Sequence, residues 1–166
     1  MKKTCALFLL GALCACSGDK AREAAPGVSL LENFRMAESA AGGRRWSLEA
    51  ASGRLDEKKG LIAFVSPKIK FYTDGKVTSE LTARTGLLHM KDKAAELTED
   101  VRIDAVAEGM NLRTARLFYS SARGKVWTDD PVTILRGRTV IKGRGFTANP
   151  DLSEIEIRHQ ETRMSR

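Results

Sequence analysis

The chain has 166 residues, 42% of them hydrophobic and 30% charged, and a formal net charge of +7. This length suits one domain with a sizeable core and hardly two, and the composition excludes a chain that is disordered throughout. The 14 glycines and the low aromatic content of 6% favour turn-rich β structure, whereas the modest positive charge does not by itself identify an anionic partner.

The first 16 residues are typical of a bacterial export signal. A start with two lysines is followed by the apolar run Ala6–Leu13, which is far shorter than the ~20 residues that a membrane-spanning helix needs. The next stretch, LCAC, resembles a lipobox, in which a cysteine is lipidated and becomes the new N-terminus. Cys16 fits this role better than Cys14, which would place a bulky leucine beside the cleavage point. We predict a signal peptide over residues 1–16 with lipidation at Cys16; an ordinary secretory signal or a short hydrophobic anchor is the alternative.

All three cysteines lie in this leader, at positions 5, 14 and 16. The mature domain therefore has no thiol for a disulfide, for a cysteine metal site or for a cysteine nucleophile. Residues 17–27, SGDKAREAAPG, are small and polar and include proline and glycine, as expected of a flexible tether. The folded domain is predicted to span residues 28–166.

From Val28 onward, short alternating stretches are separated by turn residues. The apolar residues of WSLEA, VRIDA and DLSEIEIR alternate with polar neighbours. This period of two indicates strands with one buried face. The stretch LLENFRMAESAA is the best helix candidate, and it fits an opening strand equally well.

An approximate repeat runs through the domain. A small dipeptide that ends in alanine recurs in steps of 33, 32 and 33 residues, at Ala50, Ala83, Ala115 and Ala148. An apolar pair and a glycine-bearing turn follow within each unit. One unit cannot bury its apolar face alone, so neighbouring units must stack into a continuous core. We predict an all-β domain, either an open β-jellyroll (a twisted two-sheet sandwich of stacked repeats of about 33 residues) or a solenoid, with an exposed edge strand at each end.

The stretch TDDPV contains two adjacent carboxylates, Asp129 and Asp130, and raises the question of a metal or acid/base site. The previous unit has TEDV at the equivalent place, so the acidic stretch is interpreted as a repeated connector between strands. Adjacent residues of an extended chain point to opposite sides, so the two carboxylates would not converge on one ion. Pro131 fits the first residue of a strand. No catalytic residue is predicted here.

Other candidate chemistry is weaker still. His89 and His159 lack the spacing of a metal pair, and the serines lack a G-x-S-x-G context. The glycines of IKGRGF indicate a strand bend or close sheet packing rather than a phosphate loop, because no helix pattern follows. Without paired aromatics in a dense basic stripe, nucleic-acid binding is not predicted. We expect no metal, no cofactor and no enzymatic activity.

What remains is the interior of the sandwich. One interpretation is a filled core; the other is a trough, open along one side, that holds lipid chains, since each buried CH₂ contributes roughly 0.8 kcal/mol. The predicted inward residues are Phe64, Ile69, Phe71, Leu81, Val101, Ile103, Leu112, Leu117, Tyr119, Val132, Ile134, Ile141 and Phe146.

The stretch from LTARTG to SEIEI resembles the LptC family, the periplasmic components of lipopolysaccharide export. Four elements carry the resemblance: LTA at residues 81–83, LRTA at 112–115, TDDPV at 128–132 and IKGRGF at 141–146. T-D-x-P-V and G-x-G-F in this order are typical of the wider group of LptC and LptA proteins (OstA-like). The resemblance covers Val28 to Met164.

The resemblance implies a β-jellyroll at the periplasmic face of the inner membrane that binds lipopolysaccharide acyl chains in a groove lined by the inward residues. The first strand would face LptF and LptG of the ABC transporter LptBFG, and the last strand, residues 155–159, would pair with LptA by β-augmentation. Gly137 is added to the groove as a position where a large side chain would harm function. The partner edges are assigned to Leu30, Phe34, Ile155, Ile157 and His159.

Other interpretations stay open. Many family members have an N-terminal membrane-spanning helix, whereas here a lipidated Cys16 would be the anchor, and Ser17 after it favours outer-membrane sorting under the enterobacterial rule. The alternatives are an LptA-like periplasmic bridge, a structural β-solenoid lipoprotein of the envelope without a ligand, and an envelope hydrolase that uses Asp129 or Asp130.

Overall fold

A computed structural model describes residues 26–106 and 108–164, so the predicted leader with Cys16 lies outside the described residues. The described residues are rich in strands and contain no helix, which confirms the all-β prediction, and accordingly none of them forms an apolar helix long enough to span a membrane. The ambiguous stretch LLENFRMAESAA lies in a strand up to Ala40. The strands are β1 Val28–Ala40, β2 Gly43–Asp56, β3 Leu61–Val65, β4 Lys68–Thr73, β5 Lys76–Thr82, β6 Thr85–His89, β7 Ala94–Ala105, β8 Met110–Ser120, β9 Lys125–Arg136, β10 Thr139–Ala148, β11 Ile155–Ile157 and β12 Glu161–Met164.

The chain runs back and forth through one continuous antiparallel ladder, and each long strand crosses two sheets. In β7, residues 94–98 pair with β6, whereas residues 102–105 pair with β5. Similarly, β2 pairs with β4 near its start and with β3 near its end. Thus β3 and β4 are two halves of one bent strand, as are β5 and β6. We refer to the half that contains β4 and β5 as the first sheet and to the half that contains β3 and β6 as the second sheet.

The bends lie in one row across the strands. Register shifts interrupt the pairing at this level between β7 and β8, β8 and β9, and β9 and β10. Glu99 and Asp100 in β7 have φ values of +64° and +52°. Backbone hydrogen bonds tie neighbouring bends together, from Ser66 N–H to Arg84 O at 2.7 Å and from Arg84 N–H to Glu99 O at 2.9 Å. Such bulges let a strand turn from one sheet into another while its pairing continues. On the side opposite the bends, the turns at the strand ends border an opening between the two sheets, which we call the mouth.

Each repeat of about 33 residues corresponds to two consecutive long strands, which cross both sheets in opposite directions. Ala50 lies at the bend of β2, Ala83 between β5 and β6, and Ala115 at the bend of β8, whereas Ala148 lies beyond the bend of β10. The chain is therefore a meander of bent hairpins that forms a two-sheet sandwich, and not a solenoid. The acidic stretch around Asp129 lies inside β9 rather than between two strands, because β9 continues through its bend.

The core is a ladder of apolar residues across seven strands of the first sheet. Each member is the direct cross-strand partner of the next: Leu48, Ile69, Leu81, Ile103, Leu112, Ile134 and Ile141. Phe64, Leu97, Leu117 and Phe146 of the second sheet belong to the same core cluster. Burial of one such side chain contributes about 1.5–3 kcal/mol, so this apolar ladder is the main stabilising element of the fold.

The predicted inward positions lie in the interior, with one exception. All are buried except Tyr119 and Ile141, which are half-buried and pack on the core. Gly137 is the exception, and its assignment to the groove is wrong. It lies exposed in the turn between β9 and β10 with φ +57°, and a Cβ there would meet nothing within 4 Å. The repeat places this glycine in a turn correctly, but the turn is at the rim of the mouth.

The glycines of IKGRGF bend and pack β10, as the sequence indicates. Gly145 has φ +78° at the bend, a conformation that favours glycine. Gly143 lies under the neighbouring strand, and a Cβ at this position would overlap Cγ2 of Ile157. Gly143 thus allows the close approach of β11, and Gly145 allows the change of direction.

We expect Ile103→Ala to lower the free energy of unfolding by about 2–5 kcal/mol, the usual cost of removing a buried large aliphatic side chain. Ile103 is 0% exposed in the middle of the apolar ladder, whereas Leu135 of β9 is 47% exposed. The matched control Leu135→Ala should change the free energy by about 0.5 kcal/mol or less. Urea denaturation, monitored by circular dichroism, measures the free energy of unfolding of both variants. Equal losses of this free energy would contradict the placement of Ile103 in the core and of Leu135 outside it.

Candidate functional site

The interior between the two sheets is the candidate functional site. A cavity of about 30 Å³ lies inside it, with an apolar lining that includes Leu48, Phe64, Phe71 and Leu97. This volume is about one water molecule's share of the liquid, so no acyl chain fits in the closed arrangement. The structure brings the predicted inward residues together as a filled core. A lipid chain would enter only where the two sheets separate.

Three aromatic residues close the mouth of the sandwich. Phe71 of the first sheet meets Tyr119 of the second, with ring centroids 5.4 Å apart and planes inclined at 59°, and Trp46 lines the same cavity. Burial raises the pKa of the Tyr119 hydroxyl, so this group stays neutral at physiological pH. The sequence predicts Phe71 and Tyr119 for the site, whereas it identifies Trp46 only as a strand residue.

A polar cluster spans the mouth beside these rings. Glu38 of β1 accepts a hydrogen bond from Trp46 Nε1 at 2.6 Å and one from Lys93 Nζ at 2.7 Å. Glu38 lies in the part of β1 that belongs to the first sheet, and Lys93 lies in the turn between β6 and β7 at the end of the second sheet. The Glu38 carboxylate therefore joins the two sheets. We refer to Glu38, Trp46 and Lys93 as the latch. No sequence pattern identifies it, because Glu38 and Lys93 are 55 residues apart.

The pKa of the Glu38 carboxyl lies below its usual range. The hydrogen bond from Lys93 is the largest cause, the bond from Trp46 is the next, and burial acts in the opposite direction. Because the folded-state pKa is lowered, the latch stabilises the fold above the unfolded-state pKa, and this stabilisation is lost as the pH falls through the folded-state value. The Lys93 side chain is 60% exposed, so solvent screening limits the ion pair to about 0–1 kcal/mol.

The loop between β10 and β11 covers the rest of the mouth. The buried hydroxyl of Ser79 in the first sheet donates a hydrogen bond to the carbonyl of Pro150, and Lys125 Nζ donates one to Asn149 Oδ1 at 2.7 Å. Leu152 is 2% exposed although its φ is +59°, a conformation that large side chains rarely adopt. The loop thus buries an apolar side chain at the expense of backbone strain.

Asp129 and Asp130 contact different partners, as the sequence interpretation requires. Asp129 pairs with Arg158 beyond β11, and Asp130 pairs with Arg116 of β8 at 3.4 Å. The N–H of Asp130 donates to the hydroxyl of Thr128 at 3.1 Å, which fixes the bend of β9. Within residues 26–106 and 108–164, no group of three or more His, Cys, Asp or Glu is placed to hold a metal ion. These two acids hold a corner of the backbone.

The sheets end in two edges: β1 on one side, and on the other β11 and β12, each of which pairs with β10. Leu30 is exposed and Phe34 half-buried in β1, and Ile155 and Ile157 are half-buried in β11. The prediction that the last strand continues to His159 is wrong, because β11 ends at Ile157 and His159 lies at the next bend with φ +50°. The chain then forms β12, which pairs with β10 and completes the edge.

Comparisons with known proteins give a family for the sequence and a related structure for the fold. The sequence profile of the family described as "Lipopolysaccharide-assembly, LptC-related" matches residues 16–163. The fold is similar to the crystal structure of LptH, the LptA-homologous periplasmic component of the conserved lipopolysaccharide transport device of Pseudomonas aeruginosa. The TM-score is 0.57 at 12% sequence identity, over 73% of this chain and 95% of that one. The comparison with curated protein sequences gives no match.

We expect Lys93→Met to raise the pKa of Glu38, because the variant removes the hydrogen bond that lowers this pKa most. Trp46→Phe, which removes the second donor, should raise it by less. An NMR titration of the Glu38 side-chain carboxyl measures the pKa in the wild type and in both variants. A wild-type value at or above the ordinary glutamate pKa of about 4.3 would contradict the latch geometry.

Proposed function

The chain belongs to the LptC-related family of lipopolysaccharide-assembly proteins, and on this premise we propose that it holds the acyl chains of lipopolysaccharide between its two sheets and passes the molecule on across the periplasm. The observation that carries the proposal is the apolar ladder, which crosses the sandwich from β2 to β10 without a polar member. Its six interstrand spacings of about 4.8 Å give it a length of roughly 29 Å.

Lipid contacts can replace part of the contacts between the sheets. An acyl chain that buries ten methylene groups would gain about 8 kcal/mol, which corresponds to roughly three to five apolar side chains at about 1.5–3 kcal/mol each, so it would offset the contacts that are lost where the sheets part locally. The bend row keeps the strands paired on the opposite side, so separation at the mouth does not require unfolding. The proposed groove is therefore the filled core itself in an opened form.

The two edges are proposed to serve different partners. β1 follows directly on the predicted tether, and eleven residues extend at most about 36–40 Å, so an anchored Cys16 would keep β1 near the membrane. There β1 would pair with LptF or LptG of the ABC transporter, and the β11–β12 edge would pair with LptA, both by β-augmentation. ATP hydrolysis in the transporter would supply the energy. The proposal includes no cofactor and no catalytic residue of this chain.

The proposed location is the periplasmic face of the inner membrane, with a lipid on Cys16 as the anchor. A second candidate is a bridge protein that is free in the periplasm like an LptA homologue, and the similarity of the fold to LptH supports it. The two candidates differ in the state of Cys16. They share the groove and both of its edges.

We expect a clickable palmitate analogue to label the wild-type protein and the Cys14→Ser variant, but not Cys16→Ser. Cys14→Ser is the matched control because it removes the other cysteine of the LCAC stretch. After separation of the membranes on a density gradient, the labelled protein should be in the inner-membrane fraction. An unlabelled protein in the periplasmic fraction would instead favour the bridge, and a labelled one in the outer membrane would show that Ser17 directs sorting.

The groove is tested with the photo-crosslinking residue benzoylphenylalanine at Tyr119 and, as a matched control, at Phe118. Tyr119 lines the cavity, whereas Phe118 stacks on Trp127 with ring centroids 5.7 Å apart and so lies on the outer face of the same strand. We expect crosslinks to lipopolysaccharide at position 119 and not at 118, in membranes whose transporter hydrolyses ATP. No crosslink at 119, or equal crosslinks at both positions, would overturn the proposed function.

A further inference from the structure

Three cavities meet at the side chain of Trp46. An outer pocket of about 370 Å³ lies between β1 and the turn after β6, and a hollow of about 200 Å³ lies at the mouth beside Arg45 and Tyr119. The inner apolar cavity of about 30 Å³ lies behind them. Trp46 is the residue common to the linings of all three, so it lies where they adjoin.

The indole is held by a restraint that an anion can release. Glu38 binds the indole N–H at 2.6 Å, and Lys93 holds the same carboxylate at 2.7 Å. Arg45 contributes further positive charge near Glu38. A phosphate that pairs with Lys93 would compete with Glu38 for the same ammonium group, because both are oxygen anions that accept its hydrogen bonds. The carboxylate would then be free to move, and the ring with it.

We propose that the outer pocket is the port through which an acyl chain reaches the interior, and that Trp46 is its gate, held shut by Glu38 and Lys93. This inference rests on the proposed function as a lipid carrier. The ligand is an amphiphile with an acyl chain and a phosphate. The chain passes Met36 and Leu88 and displaces the indole, while the phosphate takes the place of Glu38 at Lys93.

The surroundings favour this end of the mouth over the other. Met36, Leu88 and the exposed Met90 line the outer pocket, and methionine side chains adapt readily to flexible apolar ligands. At the other end, the loop before β11 is tied down through Ser79 and Lys125. The outer pocket also adjoins β1, the edge that follows the tether. The route past Trp46 breaks the two hydrogen bonds of the latch, whereas three hold the loop, from Ser79 to Pro150 and from Lys125 to Asn149 and Glu154.

Contact between an acyl chain and the gate can be measured by fluorescence quenching. The chain has two tryptophans, so Trp127→Phe leaves Trp46 as the reporter and Trp46→Phe leaves Trp127 as the control on the outer face. The probe is phosphatidic acid with dibrominated acyl chains, delivered from neutral detergent micelles to the full chain. We expect strong quenching of Trp46 and little of Trp127. Equal quenching of both, or none of Trp46, would overturn the port.

The latch is tested by the rate of loading. Glu38→Gln and Glu38→Ala should each increase the initial rate of Trp46 quenching by about fivefold or more, the factor that corresponds to the loss of a partly exposed ion pair, because both leave Lys93 in place to receive the phosphate. The matched control is Glu49→Gln, which removes the exposed Arg35–Glu49 pair of the same hairpin and should leave the rate unchanged. Circular dichroism checks that each variant is folded. If one of the two latch variants does not fold, the other still tests the latch.

The outcomes separate this inference from the proposed function. If position 119 crosslinks to lipopolysaccharide but Trp46 is not quenched, the lipid enters elsewhere, and the port is overturned while the carrier function stands. If Trp46 is quenched and the latch variants load at the wild-type rate, the gate is overturned. If position 119 does not crosslink in active membranes, the carrier function itself is overturned. Quenching of Trp46 together with faster loading in both latch variants supports the full proposal.

Discussion

Each long strand has to change direction at the same level, and the rest of the structure depends on that alignment. The strands meet this requirement with different residues: Glu99 and Asp100 adopt positive φ, Gly145 supplies the freedom of glycine, and Asp130 is held through Thr128. Because neighbouring bends are joined by backbone hydrogen bonds, the two halves of every strand face each other. The apolar ladder is then buried between them, and the burial offsets the strain at the bends.

The two sides of the sandwich are held by interactions of different strength. On the side of the bends, the covalent chain and a row of backbone hydrogen bonds join the sheets. On the side of the mouth, the sheets meet through aromatic contacts, the latch and one tied loop. Separation of the sheets is therefore easiest at the mouth, with the bends as the hinge. An interior that is packed at rest and opens along one side suits a carrier, because it exposes little apolar surface when it is empty.

The sequence predicts what is local or periodic, and it misses what only the fold brings together. A period of two identifies Ile69, Ile103 and Ile134 as interior, because one face of each strand must be buried. The repeat places Gly137 in a turn correctly, but its assignment to the groove is wrong, since equal spacing along the chain does not show which end of the sandwich a turn occupies. His159 is assigned to the last strand because no pattern in the sequence marks the bend that follows β11. The latch is invisible because two ordinary charged residues far apart in sequence form it.

The order of the strands in the ladder has a kinetic consequence. Most neighbours in space are also neighbours in sequence: Ile69 pairs with Leu81, Ile103 with Leu112 and Ile134 with Ile141. Such short loop closures lower the entropic cost of each pairing step. A β protein of this size would ordinarily fold slowly because it has to join distant segments. Here the chain can add one hairpin after another in chain order, so assembly can proceed from one end of the chain to the other.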